Sequence, residues 1–319
     1  DVYKRQTMKA IGGSSMTLLD DVYRQKANIK NIRERERSER TQAIYKNYPE
    51  LLSLENEKNE VLNDFASMNF TNYEDINKKI LNIEAKKQKL IEEYGLEDAF
   101  KVHYDCEKCE DTGIYQSKRC SCIDDMLREK MLETNELNTE MREKSFENFD
   151  ANIFTDDIRD EMLEIKKSLE DYADNFTYEH KSIFFFGDVG TGKSFMAVSL
   201  AKRLIEKLVN VTYIGSYEMC QTINEAIFKA DGDAITKRDL FYNTDFLIID
   251  DLGTEIDTQI SSKSILDLIN YRLSKNLKTL ITSNLNVDAI KEKYGERLSS
   301  RILSNYYIYR FKGRDLRLR

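Results

Sequence analysis

The segment GDVGTGKS, residues 187–194, decides how this chain of 319 residues folds. It matches the pattern G-x-x-x-x-G-K-[ST] in full, after an apolar strand-like run (SIFFF, 182–186) and before a helical run (195–208). Glycines let backbone N–H groups converge on phosphate oxygens, and the dipole of the following helix strengthens that attraction. A plain glycine-rich turn is the alternative. The predicted phosphate-binding segment consists of Gly187, Asp188, Val189, Gly190, Thr191, Gly192, Lys193, Ser194 and Phe195.

Two residues of this segment have specific expected roles. Lys193 reaches the β and γ phosphates of the nucleotide, and Ser194 is a ligand of Mg²⁺.

Two further strand-like runs end in polar side chains. FLII is followed directly by Asp250 and Asp251, and TLITS is followed by Asn284. Asp250 is predicted to hold the hydration shell of the metal ion. Asp251 is the candidate that polarises the attacking water, unless it only caps the next turn. Asn284 is the candidate sensor that orients this water against the γ phosphate, although asparagine also favours ordinary turns at strand ends.

Arginines are needed because charge develops on the transferred phosphoryl group, and a neighbouring subunit often supplies the cation. GERLSSR carries Arg297 and Arg301, which share one face of a predicted helix. That face suits a finger reaching a neighbour, or it is simply solvated. Arg314, Arg317 and Arg319 of the terminal KGRDLRLR are candidates for a nucleotide sensor or a basic DNA contact.

Strand-like and helical runs alternate from Lys181 onward, which predicts an α/β fold, a doubly wound P-loop domain with a largely parallel sheet. Short turns after the strands place the chemistry along their carboxyl ends. The predicted strands are 182–186, 211–215, 246–250, 278–283 and 306–311.

The first hundred residues differ in character. From Met16 to Leu96 the chain is charged, and apolar residues recur at helical spacing, which predicts several helices. They form either a solvated bundle or a module that docks a partner. The first methionines are Met8 and Met16, so residues 1–15 are candidates for non-native sequence and are excluded from the fold reasoning. The expected domains are a helical region at 1–100, a cysteine-rich segment with a linker helix at 101–144 and a nucleotide-binding domain at 145–319.

Four of the five cysteines lie close together. The pairs C-x₂-C and C-x-C are separated by ten residues, enough for a short hairpin to gather four thiolates around one Zn²⁺. The tight second pair leaves open a mixed site that uses His103. A closed four-ligand site is structural and would hold a small segment folded. Cys220 is expected in the core. The predicted zinc ligands are Cys106, Cys109, Cys120 and Cys122.

Composition limits the partners. The net charge of −8 argues against indiscriminate binding to polyanions, so any contact with DNA must be local. No stretch approaches about 18 consecutive apolar residues, and the N-terminus lacks an apolar signal core. We therefore expect no membrane insertion or export, and a cytoplasmic location.

Together the motifs resemble those of the bacterial replicative helicase loaders of the DnaC and DnaI type, a branch of the AAA+ ATPases. The resemblance rests on GDVGTGKS, FLIIDDLGTE, LITSNL, GERLSSR and GRDLR, in that order, and on CEKCEDTG…CSC and SFENFD. It covers roughly residues 100–319. The first hundred residues are similar only in being charged and helical.

The resemblance implies a protein that uses ATP to deliver the hexameric replicative helicase onto single-stranded DNA. Its N-terminal part would grip the helicase, and its AAA+ part would bind ATP and DNA. Arg301 would be the arginine finger and Arg317 the second sensor. ATP hydrolysis is expected to be slow alone and to respond to single-stranded DNA or helicase. Almost nothing follows the final predicted strand, so the helical lid of many AAA+ proteins is expected to be absent or vestigial, and homo-oligomer assembly stays open.

Three alternatives compete with the loader. Transposition helper ATPases of the IstB type share these motifs and would act on a transposase or, in a phage, on a host helicase; the cysteine pairs favour the loader. A small-molecule phosphotransferase needs an acceptor pocket, for which the sequence offers no candidate. A zinc-bearing adaptor that hydrolyses no ATP would not need Asp250, Asp251 and Asn284.

Overall fold

A computed structural model describes residues 18–67, 73–135, 143–256 and 259–316. Contacts between residues divide the chain into two compact units, Asp1–Met126 and Leu127–Arg319. The domain boundaries at residues 100 and 144 stay predictions. Within the described ranges, every helix is too short or too polar to cross a membrane.

Three helices dominate the first unit: α1 (Leu18–Asn47), α2 (Pro49–Ser67) and α3 (Tyr73–Glu93). Pro49 begins α2, where its fixed φ suits a helix start and its missing N–H leaves no hydrogen bond unmade. Ile44, Leu51 and Ile91, one from each helix, form a small core. The predicted helical N-terminal region is therefore confirmed, with a modest core and a mostly charged surface.

The cysteine-rich segment follows these helices. A 3₁₀ turn (Glu97–Phe100) leads to a hairpin of two short antiparallel strands, β1 (Ile114–Tyr115) and β2 (Lys118–Arg119). Helix α4 (Ser121–Glu133) begins directly after it. The predicted linker helix within residues 101–144 corresponds to α4, which ends at Glu133, and residues 136–142 lie outside the described ranges.

A five-stranded sheet forms the centre of the second unit, with the order β4-β5-β6-β3-β7 and every neighbouring pair parallel. Parallel strands covered on both faces read as continuous apolar runs, as FLII and IFFF do here. The predicted parallel α/β fold is confirmed. The strands are β3 (Ser182–Gly187), β4 (Val211–Gly215), β5 (Phe246–Leu252), β6 (Lys278–Ser283) and β7 (Tyr306–Phe311).

Helices flank this sheet and close its core. Fully buried side chains include Phe184 on β3, Leu247 on β5, Ile281 on β6, Leu268 on α9 and Leu298 on α11. The helices are α5 (Asp156–Asp174), α6 (Lys193–Glu206), α7 (Ser216–Phe228), α8 (Gly232–Asn243), α9 (Gln259–Ser274), α10 (Val287–Tyr294) and α11 (Glu296–Asn305), with a 3₁₀ turn at Ala151–Ile153.

The strand order decides where the candidate site lies. Strand β6 lies between β5 and β3, and all three run in the same direction. Their carboxyl ends, and the loops that follow, therefore meet at one edge of the sheet.

Candidate active site and candidate metal centre

The phosphate-binding loop predicted from the sequence joins β3 to α6. Gly192 precedes the helix with φ of 98°, a left-handed conformation that favours glycine. Gly187 lies so close to β7 that a Cβ there would be 2.0 Å from the carbonyl oxygen of Phe311. At Gly190, φ is 76° and a Cβ would lie 1.8 Å from Oδ1 of Asp315. Glycine is thus required by close packing as well as by the curvature of the loop.

The lysine of this loop is folded against its own backbone. Lys193 is buried, and its Nζ donates hydrogen bonds to the carbonyl oxygens of Gly187 and Asp188, each at 2.8 Å. Thr191 Oγ1 donates to the same Asp188 carbonyl at 2.8 Å. These bonds hold the ammonium group inside the curve of the loop, where the terminal phosphates of a nucleotide would accept from it.

The two predicted magnesium ligands lie side by side. Ser194 Oγ donates to Asp250 Oδ1 at 3.2 Å, although the residues belong to α6 and β5. Hydroxyl and carboxylate oxygens are ligands that Mg²⁺ accepts, and it commonly binds through one or two carboxylates together with substrate phosphates. The donor set at this edge therefore fits a magnesium nucleotide.

Two further hydroxyl groups fix the Asp250 carboxylate. Thr282 Oγ1 on β6 donates to Oδ1, and the Tyr213 hydroxyl on β4 donates to Oδ2, each at 2.5 Å. Burial, together with the neighbouring Asp250, raises the pKa of Tyr213. The phenol thus stays protonated and keeps donating. Neighbouring strands on both sides of β5 orient this carboxylate before any ligand arrives.

Asp251 and Asn284 flank the same edge. Asp251 is exposed, has φ of 55° and lies where the register of β5 against β6 shifts. Its backbone N–H donates to Thr282 Oγ1 at 2.9 Å. Asn284 is exposed, and its Oδ1 would lie 3.4 Å from a Cβ at Gly253, two residues beyond Asp251. Both residues thus lie at the carboxyl ends of β5 and β6, and their roles stay predictions.

The candidate arginines lie elsewhere. Arg297 and Arg301 are exposed on α11, and Arg301 Nε donates to Asn270 Oδ1 of α9 at 3.1 Å. Arg314 is exposed after β7. Arg317 and Arg319 lie outside the described residues. In this single chain, Arg301 contacts α9 and not the loop, which leaves its predicted role as a finger for a neighbour untested.

Three aromatic rings beside the loop were not singled out from the sequence. Phe149 stacks on Phe154 with 5.7 Å between ring centroids, and it lies 6.0 Å from the ring of Phe195. Phe154 also lies 4.0 Å from the place of a Cβ at Gly192. From the sequence, the stretch SFENFDANIF entered only through SFENFD, which contributed to the family resemblance. Its aromatic content was the signal that it borders the site.

The segment after β7 also reaches the loop. Leu316 N–H donates to the carbonyl oxygen of Gly190 at 3.0 Å. Together with the contact between Gly190 and Asp315, this bond brings the last described residues directly onto the phosphate-binding loop.

The four clustered cysteines converge as the sequence predicted. The Sγ atoms of Cys106, Cys109, Cys120 and Cys122 all lie within 4.8 Å of one another. The Cys106–Cys120 and Cys109–Cys122 sulfur separations are 3.8 and 3.6 Å. A tetrahedral site with Zn–S bonds of about 2.3 Å needs sulfurs about 3.8 Å apart, so the cluster fits such an ion.

The two remaining sequence candidates are not members of this group of four cysteines. The ring of His103 lies 3.4 Å from Asp98 Oδ2. Cys220 is buried on α7 within the core of the second unit, as expected.

An ion pair anchors the cysteine cluster to α1. Lys26 Nζ lies 2.6 Å from Asp111 Oδ1, with side chains that are 4% and 0% exposed. Asp111 also accepts from the backbone N–H groups of Asp105 and Cys106, at 2.9 Å each. Burial opposes both charges, but the pairing prevails, so the pKa of Asp111 is lowered and that of Lys26 is raised. Gly113 also packs closely against α1: a Cβ at this residue would lie 3.0 Å from the ring of Tyr23.

Comparison with known proteins identifies the family. The family model described as IstB-like ATP binding protein matches residues 125–310, which is more than half of the chain's 319 residues.

Curated relatives include replicative helicase loaders. The DnaC loader of Buchnera aphidicola subsp. Baizongia pistaciae is 28% identical over 135 residues, which cover 42% of this chain and 54% of that protein. The DnaI loader of Bacillus subtilis is 26% identical over 121 residues, 38% of each chain. The chain thus spans about half or less of the length of these curated relatives. A crystal structure of the DnaC helicase loader superimposes with a TM-score of 0.49 and 18% identity, over 55% of this chain and 100% of that one.

Proposed function

The chain belongs to the family of IstB-like ATP binding proteins, and from this premise we propose that it is an ATP-dependent loader of the replicative DNA helicase. It would place the hexameric helicase on single-stranded DNA when replication begins. Relatives named as replicative helicase loaders support this role.

One observation carries the enzymatic part of the proposal. The hydroxyl of Ser194 and the carboxylate of Asp250 lie 3.2 Å apart, beside the loop that contains Lys193. These two side chains would hold Mg²⁺, which neutralises charge on the β and γ phosphates when it is bound. Lys193 would exchange its bonds to loop carbonyls for bonds to phosphate oxygens.

The remaining residues at this edge would act on water. Asp251 would accept a proton from the attacking water, and Asn284 would orient that water against the γ phosphate. Asp251 is exposed at the carboxyl end of β5, which supports this role. Its carboxylate is shorter than the glutamate that many AAA+ proteins carry here, so turnover would be slow.

Charge compensation would come from arginine. Arg301 is exposed on α11 and would reach the active site of a neighbouring subunit, and Arg317 would act as the second sensor. Arginine fingers supplied by a partner typically accelerate phosphoryl transfer by about 10³-fold or more. Hydrolysis would therefore be slow in the isolated chain and faster when helicase or single-stranded DNA orders several copies.

The adenine base would lie against Phe149 and Phe195, the two half-buried aromatic rings beside the loop. Phe149, Phe154 and Phe195 form a cluster with centroid separations near 6 Å at the start of α6. Flat apolar rings of this kind stack on nucleobases. This supports ATP as the ligand over a phosphate compound that lacks a base.

The first unit would hold the partner. Residues 1–100 would dock the helicase, and Cys106, Cys109, Cys120 and Cys122 would bind a structural Zn²⁺ that keeps the adjoining segment folded. The sulfur separations of 3.6 and 3.8 Å support a tetrahedral ion.

The test of this function uses the full chain with purified components. ATP turnover is measured alone, with single-stranded DNA, with the host's hexameric helicase and with both. We expect low basal turnover and stimulation by at least one partner, together with capture of the helicase by the tagged chain. The proposal would be wrong if the helicase neither bound the chain nor altered its ATP turnover.

The family match itself favours a second candidate, a transposon- or phage-encoded helper ATPase of the IstB type. Such a helper would act on a transposase or on a host helicase. Capture of a cognate transposase, with no binding to the replicative helicase, would select this alternative.

A further inference from the structure

Glu255, just beyond the acidic end of β5, is a buried carboxylate to which nucleotide binding and hydrolysis assign no role so far. Glu255 has a side chain that is only 2% exposed. Burial alone would raise the pKa of Glu255, but hydrogen bonds from Tyr294, the Gly253 amide and Ser216 outweigh it, so the pKa is lowered. The group is therefore an anion in the interior of the second unit.

One oxygen of this carboxylate holds the turn that carries Asp251. Glu255 Oε2 accepts from the backbone N–H of Gly253 and from Ser216 Oγ, each at 3.0 Å. Ser216 Oγ also lies 2.8 Å from the carbonyl oxygen of Asp251. Asp251 and Gly253 both have positive φ, 55° and 116°. A turn with two left-handed residues is costly for Asp251 and persists only where its surroundings impose it.

The other oxygen binds the end of α10. Glu255 Oε1 accepts a short hydrogen bond from the Tyr294 hydroxyl and lies 3.7 Å from Lys293 Nζ. Lys293 Nζ in turn donates to the carbonyl oxygen of Gly253 at 2.7 Å. Lys293 thus binds the turn directly, and Tyr294 binds it through Glu255.

The end of α10 leads straight into the helix with the candidate finger. Only Gly295, with φ of 87°, separates Tyr294 from the first residue of α11, and α11 carries Arg297 and Arg301. Any shift at the end of α10 therefore alters the start of α11. Glu255 therefore contacts both the turn that carries Asp251 and the end of α10, which leads into the helix that carries Arg297 and Arg301.

We propose that Glu255 is a positioning residue for ATP hydrolysis, holding the Asp251 turn in its left-handed conformation and fixing the end of α10 relative to it. This inference rests on the proposed ATPase function. Glu255 contacts the turn and not the phosphate-binding loop, so its loss should impair turnover while nucleotide binding survives.

The experiment compares Glu255→Gln with the wild-type full chain. Glutamine keeps the size of the side chain but removes the negative charge. Its NH₂ group also replaces one accepting oxygen, so one of the present hydrogen-bond donors loses its acceptor. We expect kcat to fall about tenfold, while KM and the affinity for a magnesium nucleotide stay within about twofold. Glu225→Gln is the matched control, because Glu225 is a partly exposed residue of α7 whose carboxylate pairs with Lys229, directly after that helix.

Tyr294→Phe is a milder second variant, which decides the matter if Glu255→Gln fails to fold. It removes one donor and keeps the anion, so we expect kcat to fall about threefold with KM unchanged. Wild-type kcat in a folded Glu255→Gln or Tyr294→Phe protein would overturn the inference. So would parallel losses of nucleotide affinity, thermal stability and kcat, which indicate a merely structural role.

The two proposals fail differently. If the wild-type chain binds no magnesium nucleotide and hydrolyses no ATP under partner stimulation, the proposed function fails and the inference falls with it. If the wild type hydrolyses ATP and both variants match it, only the role of Glu255 is refuted.

Discussion

The sheet edge and the cysteine cluster gather their polar groups in opposite ways. Ser194, Asp250 and Thr282 come from distant parts of the chain and meet because β5, β6 and α6 pack around fully buried side chains. The four thiols come from residues 106–122, before and after a hairpin whose β1 side chains, Ile114 and Tyr115, are exposed. One site is held by a core that exists without ligand, and the other has almost no core of its own.

This difference predicts different responses to loss of a ligand. A site on a well-packed sheet should stay in place when its nucleotide leaves, because the burial of apolar area stabilises the strands with or without a ligand. A short segment with few buried apolar side chains should lose much of its structure with its ion, because metal binding supplies much of its folding free energy.

The largest expected effect follows from removing one thiol. In Cys109→Ser the tetrahedral donor set is broken, and structural zinc sites contribute about 10 kcal/mol or more of apparent binding free energy. We expect bound zinc to disappear and amide exchange across residues 103–122 to rise to nearly unfolded rates. Elemental analysis and hydrogen exchange by mass spectrometry measure both.

Cys220→Ser is the matched control, since Cys220 is also buried but belongs to the core of the second unit. The Cys220→Ser protein should keep its bound zinc. A wild-type protein that contains no zinc, yet protects these amides fully, would show that the hairpin folds without an ion.

The ion pair at the base of the cluster should matter next. Lys26→Met keeps the stem of the side chain but leaves Asp111 buried without its cation. Breaking one partner of a buried pair costs about 3 kcal/mol or more, and the two amides bound to Asp111 place the effect at the lower end. We expect weaker zinc binding in a competition titration and a lower midpoint of denaturation for the first unit.

Lys30→Met tests the same helix at a partly exposed pair. Lys30 and Glu34 are 33% and 48% exposed, so their interaction contributes about 0.5 kcal/mol or less. Equal effects of the two substitutions would mean that the Lys26 pair does not anchor the cluster.

At the sheet edge, Lys193→Ala should reduce binding but not folding. The variant removes charge-assisted hydrogen bonds to phosphate, each of which contributes about 1.5–3 kcal/mol. We expect affinity for a fluorescent ATP analogue to fall about 100-fold, which corresponds to about 2.7 kcal/mol. Lys229→Ala, at an exposed residue directly after α7, should bind like the wild type. Unchanged affinity in Lys193→Ala would rule out the loop as the phosphate site.

How far the sequence predicts the structure depends on the range of the interactions. Strands 211–215, 278–283 and 306–311 have the predicted bounds, because local apolar runs between turn residues specify them. β5 extends beyond the prediction to Leu252, because the chain continues extended through its two acids. The hydroxyl of Tyr213 could not have been foreseen, since its contact with Asp250 depends on which strand lies next to which.

The same limit applies to the two buried charges. The spacing of the cysteines predicted their convergence, but no local pattern pairs Lys26 with Asp111 across most of the first unit. Glu255 belongs to the motif FLIIDDLGTE, but nothing in the sequence indicates that Tyr294 donates a hydrogen bond to it. Both contacts arise only after the chain has folded.

The smallest effect should come from a hydroxyl that serves two neighbours at the sheet edge. Thr282 donates to Asp250 and accepts from the backbone N–H of Asp251, and Thr282→Val removes both bonds with little change in shape. Each such hydrogen bond contributes about 1 kcal/mol, so we expect stability to fall by about 2 kcal/mol and turnover, which depends on the bond to Asp250, to fall about fivefold. Thr236→Val, whose exposed hydroxyl donates only to Gly232 on α8, should change neither. If Thr282→Val instead abolished nucleotide binding altogether, the Asp250 carboxylate would depend on that single hydroxyl, and the view of a sheet edge set in place by its core would be wrong.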